Sequence, residues 1–268
     1  MVVNTKRKNT FLAHLGLFLE NTKLSLLSAM EYKFNFIMQT VGMFVNDIFW
    51  LLLWWLLFTR FEAINDWVFK DMLVLYSIAT VSFGVSTAFF YGARRLYKTI
   101  AEGRLDYYLA LPKNVLFHSS LRTSYSACGD ILFGLMLVPF SISLSQVPLY
   151  VYFVICGSVL FTAITIIFNS LAFYIGNAER ARQTGDEAFM SFAMYPFSAF
   201  GGATKFFLLT IFPAGFVTGI PVEVMREFNW MWFSLTGIVA FLFLGIAIVL
   251  FYKGLKRYES GNLMYAKD

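Results

Sequence analysis

Five apolar runs of twenty or more residues constrain this chain more than any other feature: Phe34–Phe58, Met72–Tyr91, Thr123–Leu144, Leu149–Ile175 and Trp230–Tyr252. A helix needs about 20 mostly apolar residues to cross a bilayer. Lipid offers no partner for a bare amide, so each such run must close its own backbone hydrogen bonds as a helix. Only 14% of the 268 residues are charged, while 32 are phenylalanine. Soluble domains carry about 25% charged residues. A water-facing surface cannot be built from this composition without large apolar patches. An ordinary soluble enzyme, a disordered chain and a nucleic-acid binder are thereby excluded.

Residues 188–222 are apolar almost throughout, yet are broken by Pro196, Gly201-Gly202, Lys205, Pro213, Gly215, Gly219 and Pro221. The connector at Lys205 is too short for two full antiparallel spans. The reading is a fifth span from Ala188 to near Gly202, then a re-entrant hairpin over 203–225 whose freed backbone groups are covered by protein. Gly215-x-x-x-Gly219 would let that hairpin pack closely against a neighbour. The sixth span is Trp230–Tyr252.

Basic residues test this count. With the N-terminus in the cytoplasm, segments 1–33, 92–122, 176–187 and 253–268 lie inside and hold 17 of the 21 Lys and Arg. Such a bias sets orientation, and a seventh span would put the basic tail outside. Trp54, Trp55, Trp67, Trp230 and Trp232 fall at the outer interface, as an aromatic belt does. The expected architecture is all-α and integral to the membrane. It has a cytoplasmic N-terminus (1–33), a six-helix transmembrane domain (34–252) and a cytoplasmic tail (253–268). Phe11–Met30 mimics part of a signal peptide, but Glu20, Asn21 and Lys23 follow its apolar stretch. It reads instead as an amphipathic helix lying on the inner membrane surface.

The chemistry-bearing residues are few. Cys128 and Cys156 sit in apolar stretches without metal-ligand spacing, and His14 and His118 are the only histidines. A zinc site or a histidine-based triad is therefore not expected. No Gly-x-x-x-x-Gly-Lys-Ser/Thr occurs, so this chain has no P-loop for ATP. The chain reads as non-catalytic, with no cofactor or metal of its own. Two acids lie within spans: Asp47, beside Asn46, near the middle of the first, and Asp130, eight residues into the third. A carboxylate at mid-bilayer costs about 2.5–3.5 kcal/mol and should face protein or water. Asn46, Asp47 and Asp130 are therefore candidates for the pore or for a subunit interface. The competing reading is a helix-packing hydrogen bond for Asp47 and a nearby arginine partner for Asp130. By position along their runs the two acids are expected at different depths.

Two cytoplasmic stretches stand out. Between Arg94 and Arg122, Ile100, Leu105, Tyr108, Leu109 and Leu111 interleave with Lys98, Glu102, Arg104 and Asp106, and Pro112 stops the helix. This pattern suits a short helix docking in a partner's groove, or equally a surface loop anchored by its tyrosines. Asn177-Ala178-Glu179-Arg180-Ala181-Arg182 joins the fourth and fifth spans. Glu179, Arg180 and Arg182 are candidates for a second contact, or simply for a solvated turn.

Glu102-Gly103-Arg104-Leu105-Asp106-Tyr107-Tyr108-Leu109-Ala110-Leu111-Pro112 resembles the signature G-x-L/I-D-x-x-L-x-x-P of ABC-2-type transporter permeases. Gly254-Leu255-Lys256-Arg257-Tyr258-Glu259-Ser260 is similar to the closing element of the bacterial branch called ABC-2 family transporter protein. The resemblance implies a permease in the bacterial inner membrane, with both termini cytoplasmic. It implies two permeases forming one pore, identical or paired with a sister chain, and two separate ATPase subunits carrying ATP and magnesium. The loop holding Lys98, Glu102, Gly103, Arg104, Leu105, Asp106, Tyr108, Leu109 and Pro112 would be the coupling helix. Export of an amphiphilic small molecule or lipid is the expected activity. The alternative is an ion-coupled secondary transporter with no ATPase, which favours several intramembrane charges and an internal repeat. The sequence has only two such acids and no obvious repeat.

Overall fold

The computed structural model describes Gly16, Lys23 and residues 33–124, 127–175 and 178–259. Apart from Gly16 and Lys23, the expected surface helix Phe11–Met30 lies outside the described residues. So do Asn177 and the tail beyond Glu259. The described chain is helical, with two isolated bridges and no named strand among the described residues.

Helix α1 (Lys33–Phe58) is peripheral: Asp47 and Trp54 are its only buried residues. It meets the bundle along a narrow stripe of Phe44, Asp47, Leu51, Trp54 and Phe58, spaced alternately three and four apart. That spacing keeps one edge of a helix against its neighbour. Chain reversal follows at Ile64-Asn65-Asp66-Trp67. Asn65 and Asp66 take positive φ (48° and 64°), which these two residue types tolerate best after glycine. Ile64 and Trp67 pair their backbones.

Helix α2 (Phe69–Arg94) is the centre of the molecule. The Asp71 carboxylate accepts the Val68 amide at 2.9 Å and caps it. Most of its residues are buried, and many are small or hydroxylated: Ser77, Thr80, Ser82, Gly84, Ser86, Thr87 and Gly92. Small residues let helix backbones approach closely where no water drives association, and hydroxyls then bond across. Ser77 Oγ donates to the Gly134 carbonyl at 2.7 Å and lies 2.9 Å from the Tyr150 hydroxyl. Ser86 pairs with Thr162 at 2.8 Å.

The chain then makes three short helices, α3 (Leu96–Ala101), α4 (Leu105–Leu109) and α5 (Val115–Ser120). Helix α6 (Ala127–Ser141) has 15 residues and contains Pro139, so it is shorter than the expected span Thr123–Leu144. Residues 121–124 are not helical, and Arg122 pairs with the kink of α2 at Phe90 instead. Two glycines wedge α6 into place. A side chain at Gly129 would strike the Thr40 carbonyl on α1, and one at Gly134 would strike Ser77, Thr80 and Val81 on α2.

Helix α7 (Val147–Ser170), with Pro148 in its first turn, packs on α2 and on the last helix. Helix α8 (Glu179–Ala193) corrects the sequence reading: the polar stretch through Glu187 is its first half, not a connector. Pairs at i,i+4 hold that half helical, Arg182 with Asp186 at 3.2 Å and Gln183 with Glu187 at 2.8 Å. Helices α9 (Gly202–Thr210) and α10 (Gly219–Arg226) follow, the segments Gly202–Thr210 and Ala214–Arg226 meeting at a 73° bend. Gly215 receives the edge of the Phe197 ring, and Gly219 receives the Phe197 Cβ. Helix α11 (Trp230–Leu255) is capped by Asn229, whose side chain accepts the Met231 and Trp232 amides. It stacks on α7 through Tyr152 and Phe233, with ring centroids 4.1 Å apart.

Among the described residues, four helices are long and apolar enough to cross a membrane: α1, α2 continued through α3, α7 with its flanking turns, and α11. The bent pair would make a fifth. Length and composition thus give four or five spans where the sequence reading counted six. Gly134→Val forces a side chain between α6 and α2 and is expected to cost about 1–3 kcal/mol, the usual penalty for overpacking. Gly245→Ala on α11, where no atom lies within 4 Å, should be nearly neutral. Thermal unfolding of the two variants in detergent checks the contrast.

Candidate functional site

Chemistry-bearing groups gather in two places, an elbow at one end of the bundle and a pair of acids inside it.

The elbow is α3 and α4. Leu96 and Ile100 of α3 and Leu105 of α4 are fully buried and anchor it. Gly103 joins the two helices at φ 70°, a left-handed conformation that any side chain would strain. Glu102 receives Lys98 at 3.6 Å and Arg104 at 2.7 Å. These pairs are exposed and add little stability. The edge left open comprises Arg104, Asp106, Tyr107, Leu109 and Pro112. Tyr108 is half-buried against His118, with ring centroids 5.2 Å apart. The apolar face read from sequence therefore divides: Ile100 and Leu105 point into the protein, Leu109 points out.

Two braces hold the elbow. Tyr258, just past α11, packs its ring on Phe173 at 6.3 Å. Its hydroxyl lies over Gly103 and beside Asp106. Burial first, and then the Asp106 carboxylate, push this phenol up to about 12. Helix α8 forms the second brace. Glu179 accepts the Tyr97 hydroxyl at 2.8 Å, and the Arg182 guanidinium lies 4.8 Å from the centre of the Tyr97 ring. Asn169 of α7 accepts the Tyr97 amide at 3.1 Å. Asp186 takes Arg182 at 3.2 Å and the Thr165 hydroxyl at 3.4 Å, and Arg94 lies within electrostatic reach of it. Of the three α8 candidates, Glu179 and Arg182 thus turn onto the elbow. Arg180 is exposed and rims an open groove of about 450 Å³ lined by Phe168, Gly185, Phe192, Phe207 and Phe212.

Asp47 and Asp130 were expected at different depths, and the structure corrects this. Their carboxyls face each other within hydrogen-bonding reach between α1 and α6. Each residue is only 3% exposed. The Asn46 side chain also reaches Asp47, and Arg94 lies within electrostatic range of Asp130. Sequence reasoning missed Tyr97, Asn169, Asp186 and Tyr258 as site residues. Arg94 figured in the sequence only as the start of a cytoplasmic stretch. A polar residue at the end of an apolar run carries little local signal of its partner. For Tyr258 the signal was present, since it stands in the tail element similar to the family's.

A family model described as ABC-2 family transporter protein matches residues 44–261. The chain belongs to the ABC-2 transporter family. It is a multi-pass membrane protein and a permease subunit of an ABC transporter, a transport component that is not itself catalytic. ABC-2 permeases associate with ABC ATPase subunits as a class. No curated protein and no solved structure shows significant similarity to the chain.

In this permease the elbow also carries a pH dependence. Burial, and then the Lys113 charge, hold His118 below its ordinary value of 6.5. The folded loop therefore favours neutral imidazole, and the unfolded chain binds the proton more readily. Stability from this contact is full above pH 6.5 and is lost as pH falls below it. Hydrogen exchange over 105–120 should quicken between pH 7 and pH 5.5 beyond the intrinsic rate, and His118→Phe should abolish that change.

Proposed function

We propose that the chain is one half of the pore of an ATP-driven exporter, and that α3–α4 is its coupling helix. Two copies, or this chain and a sister permease, would form the complete pore above two ATPase subunits. The observation that carries the reading is the braced elbow. An exposed edge mixing Arg104, Asp106, Tyr107 and Leu109 stands on a fully buried base of Leu96, Ile100 and Leu105. A helix-in-groove contact transmits force only when its own base is rigid. Tyr258, α8 and Asn169 of α7 supply that rigidity from three other parts of the chain.

The six-span topology belongs to the same proposal. Helix α6 with its flanking residues, and α8 continued toward Phe200, would be the third and fifth spans. The strong Lys and Arg bias supports cytoplasmic termini, with a bacterial inner membrane as the setting. The bent pair α9–α10 would then be a re-entrant hairpin capping the outer exit. Arg226 supports this role: it bonds the Asp66 carbonyl at 2.6 Å and approaches Asp71 at 3.6 Å. Gln146 holds the Met225 carbonyl at 2.8 Å. An amphiphilic small molecule or lipid is the proposed cargo. The open, phenylalanine-lined groove with Arg180 at its rim is chemically matched to that class.

Leu109→Glu alters the exposed edge without touching its buried base or its braces. Losing a contact worth about 2 kcal/mol should weaken ATPase capture roughly thirtyfold. Permease folding, read by thermal unfolding, should be unchanged. Leu105→Glu should instead destabilise the permease itself. Transport by the isolated chain, driven by a proton gradient in vesicles without ATP, would overturn the proposal.

A further inference from the structure

We propose that Asp47 and Asp130 form a proton-binding site, with one proton held between the two carboxyls, and that this proton fastens α1 to α6. The inference stands independently of ATPase coupling.

The geometry demands a hydrogen. Ionised carboxylates only accept hydrogen bonds, yet these two face each other within bonding reach. The Oδ2 atoms of both residues are buried and have no hydrogen-bond partner. A pair of acceptors closes only when one of them carries a proton and donates. Like charges at this separation cannot both ionise without strong repulsion. An unpaired buried oxygen otherwise costs about 1–3 kcal/mol.

The surrounding charges point the same way. Arg94 of α2 is the one cation within reach of Asp130 among the described residues, and it also serves Asp186 of α8, which Arg182 holds. Asp47, Asp130 and Asp186 carry three potential negative charges, and Arg94 and Arg182 carry two positive ones. One proton makes this linked group neutral. The other groups facing the pair are uncharged: the Asn46 amide and the Tyr76 hydroxyl near Asp47, and the Cys128 thiol near Asp130.

The location gives the proton a mechanical role. Helix α1 is held mainly by α6, and the pair lies along that contact, near Gly129 against the Thr40 carbonyl and Phe133 against Phe44 at 5.7 Å. Removing the proton would place two negative charges in the main contact between α1 and the bundle. A monovalent metal ion between two ionised carboxylates is the competing occupant, and the test separates the two.

Infrared spectroscopy of the full-length chain in lipid at neutral pH should show a protonated-carboxyl band that shifts in deuterium oxide. Asp47→Asn and Asp130→Asn should each remove that band while leaving the melting temperature within a few degrees. An amide donates where the acid hydroxyl did, and one carboxylate remains to accept. Asp130→Glu keeps a carboxyl and should shift the band without removing it. The wild type should lose thermal stability as the band is titrated away, and the two Asn variants should not. A wild type without the band, or a band unmoved in all three variants, overturns the proposal. If neither Asn variant folds, Asp130→Glu alone decides, and an unmoved band there overturns it. A melting temperature that rises with sodium or potassium in a wild type lacking the band assigns the site to a metal ion, which also overturns it.

Discussion

Close backbone approach along α2 is the constraint on which the other helices depend. Apolar side chains gain nothing by leaving lipid for one another, so helices in a membrane associate through dense packing and hydrogen bonds. Helix α2 supplies both. Gly134 of α6 fits against Ser77 and Thr80, and Gly157 of α7 fits against Ser82. Hydroxyls on α2 find carbonyls or hydroxyls on those same partners. Helices α1 and α11 attach outside this unit, and each keeps a broad exposed apolar face. The result is a buried three-helix centre of α2, α6 and α7 with two flanking helices.

The end of α2 is also where the chain's charges converge. Arg94 looks inward to Asp130 and across to Asp186. A few residues on, Tyr97 ties α3 to Glu179, Asn169 and Arg182. The acid pair and the elbow are therefore two ends of one polar path, with α2 and α8 between them.

Much of this was legible in the sequence, because its signals are local. Apolar runs gave α1, α2, α7 and α11 close to their observed limits. The breaks at Pro213, Gly215 and Gly219 announced the bend between α9 and α10. Pro112 marked the end of the elbow. The start of α8 was not legible, since Glu179 to Glu187 has the composition of a connector and becomes helical through pairs at i,i+4. Nor was the side of the elbow that faces the protein, because Leu105 and Leu109 look alike until the helix is packed.

The acid pair shows where sequence stops. Counting residues from the start of an apolar run assumes that every helix starts at the same level. Here α5 and the extended residues after it run beside the end of α2, where Gly92 meets the Ser119 and Ser120 carbonyls, before α6 begins opposite the middle of α1. Sequence alone determined that the chain enters a membrane, which end is basic and which short loop carries mixed charge, because solvation and charge act residue by residue. Only the tertiary structure decided that Asp47 meets Asp130, that Arg182 serves Tyr97 and that Tyr258 covers Gly103. Those contacts depend on the relative height and rotation of helices far apart in the chain, which close packing of whole surfaces sets.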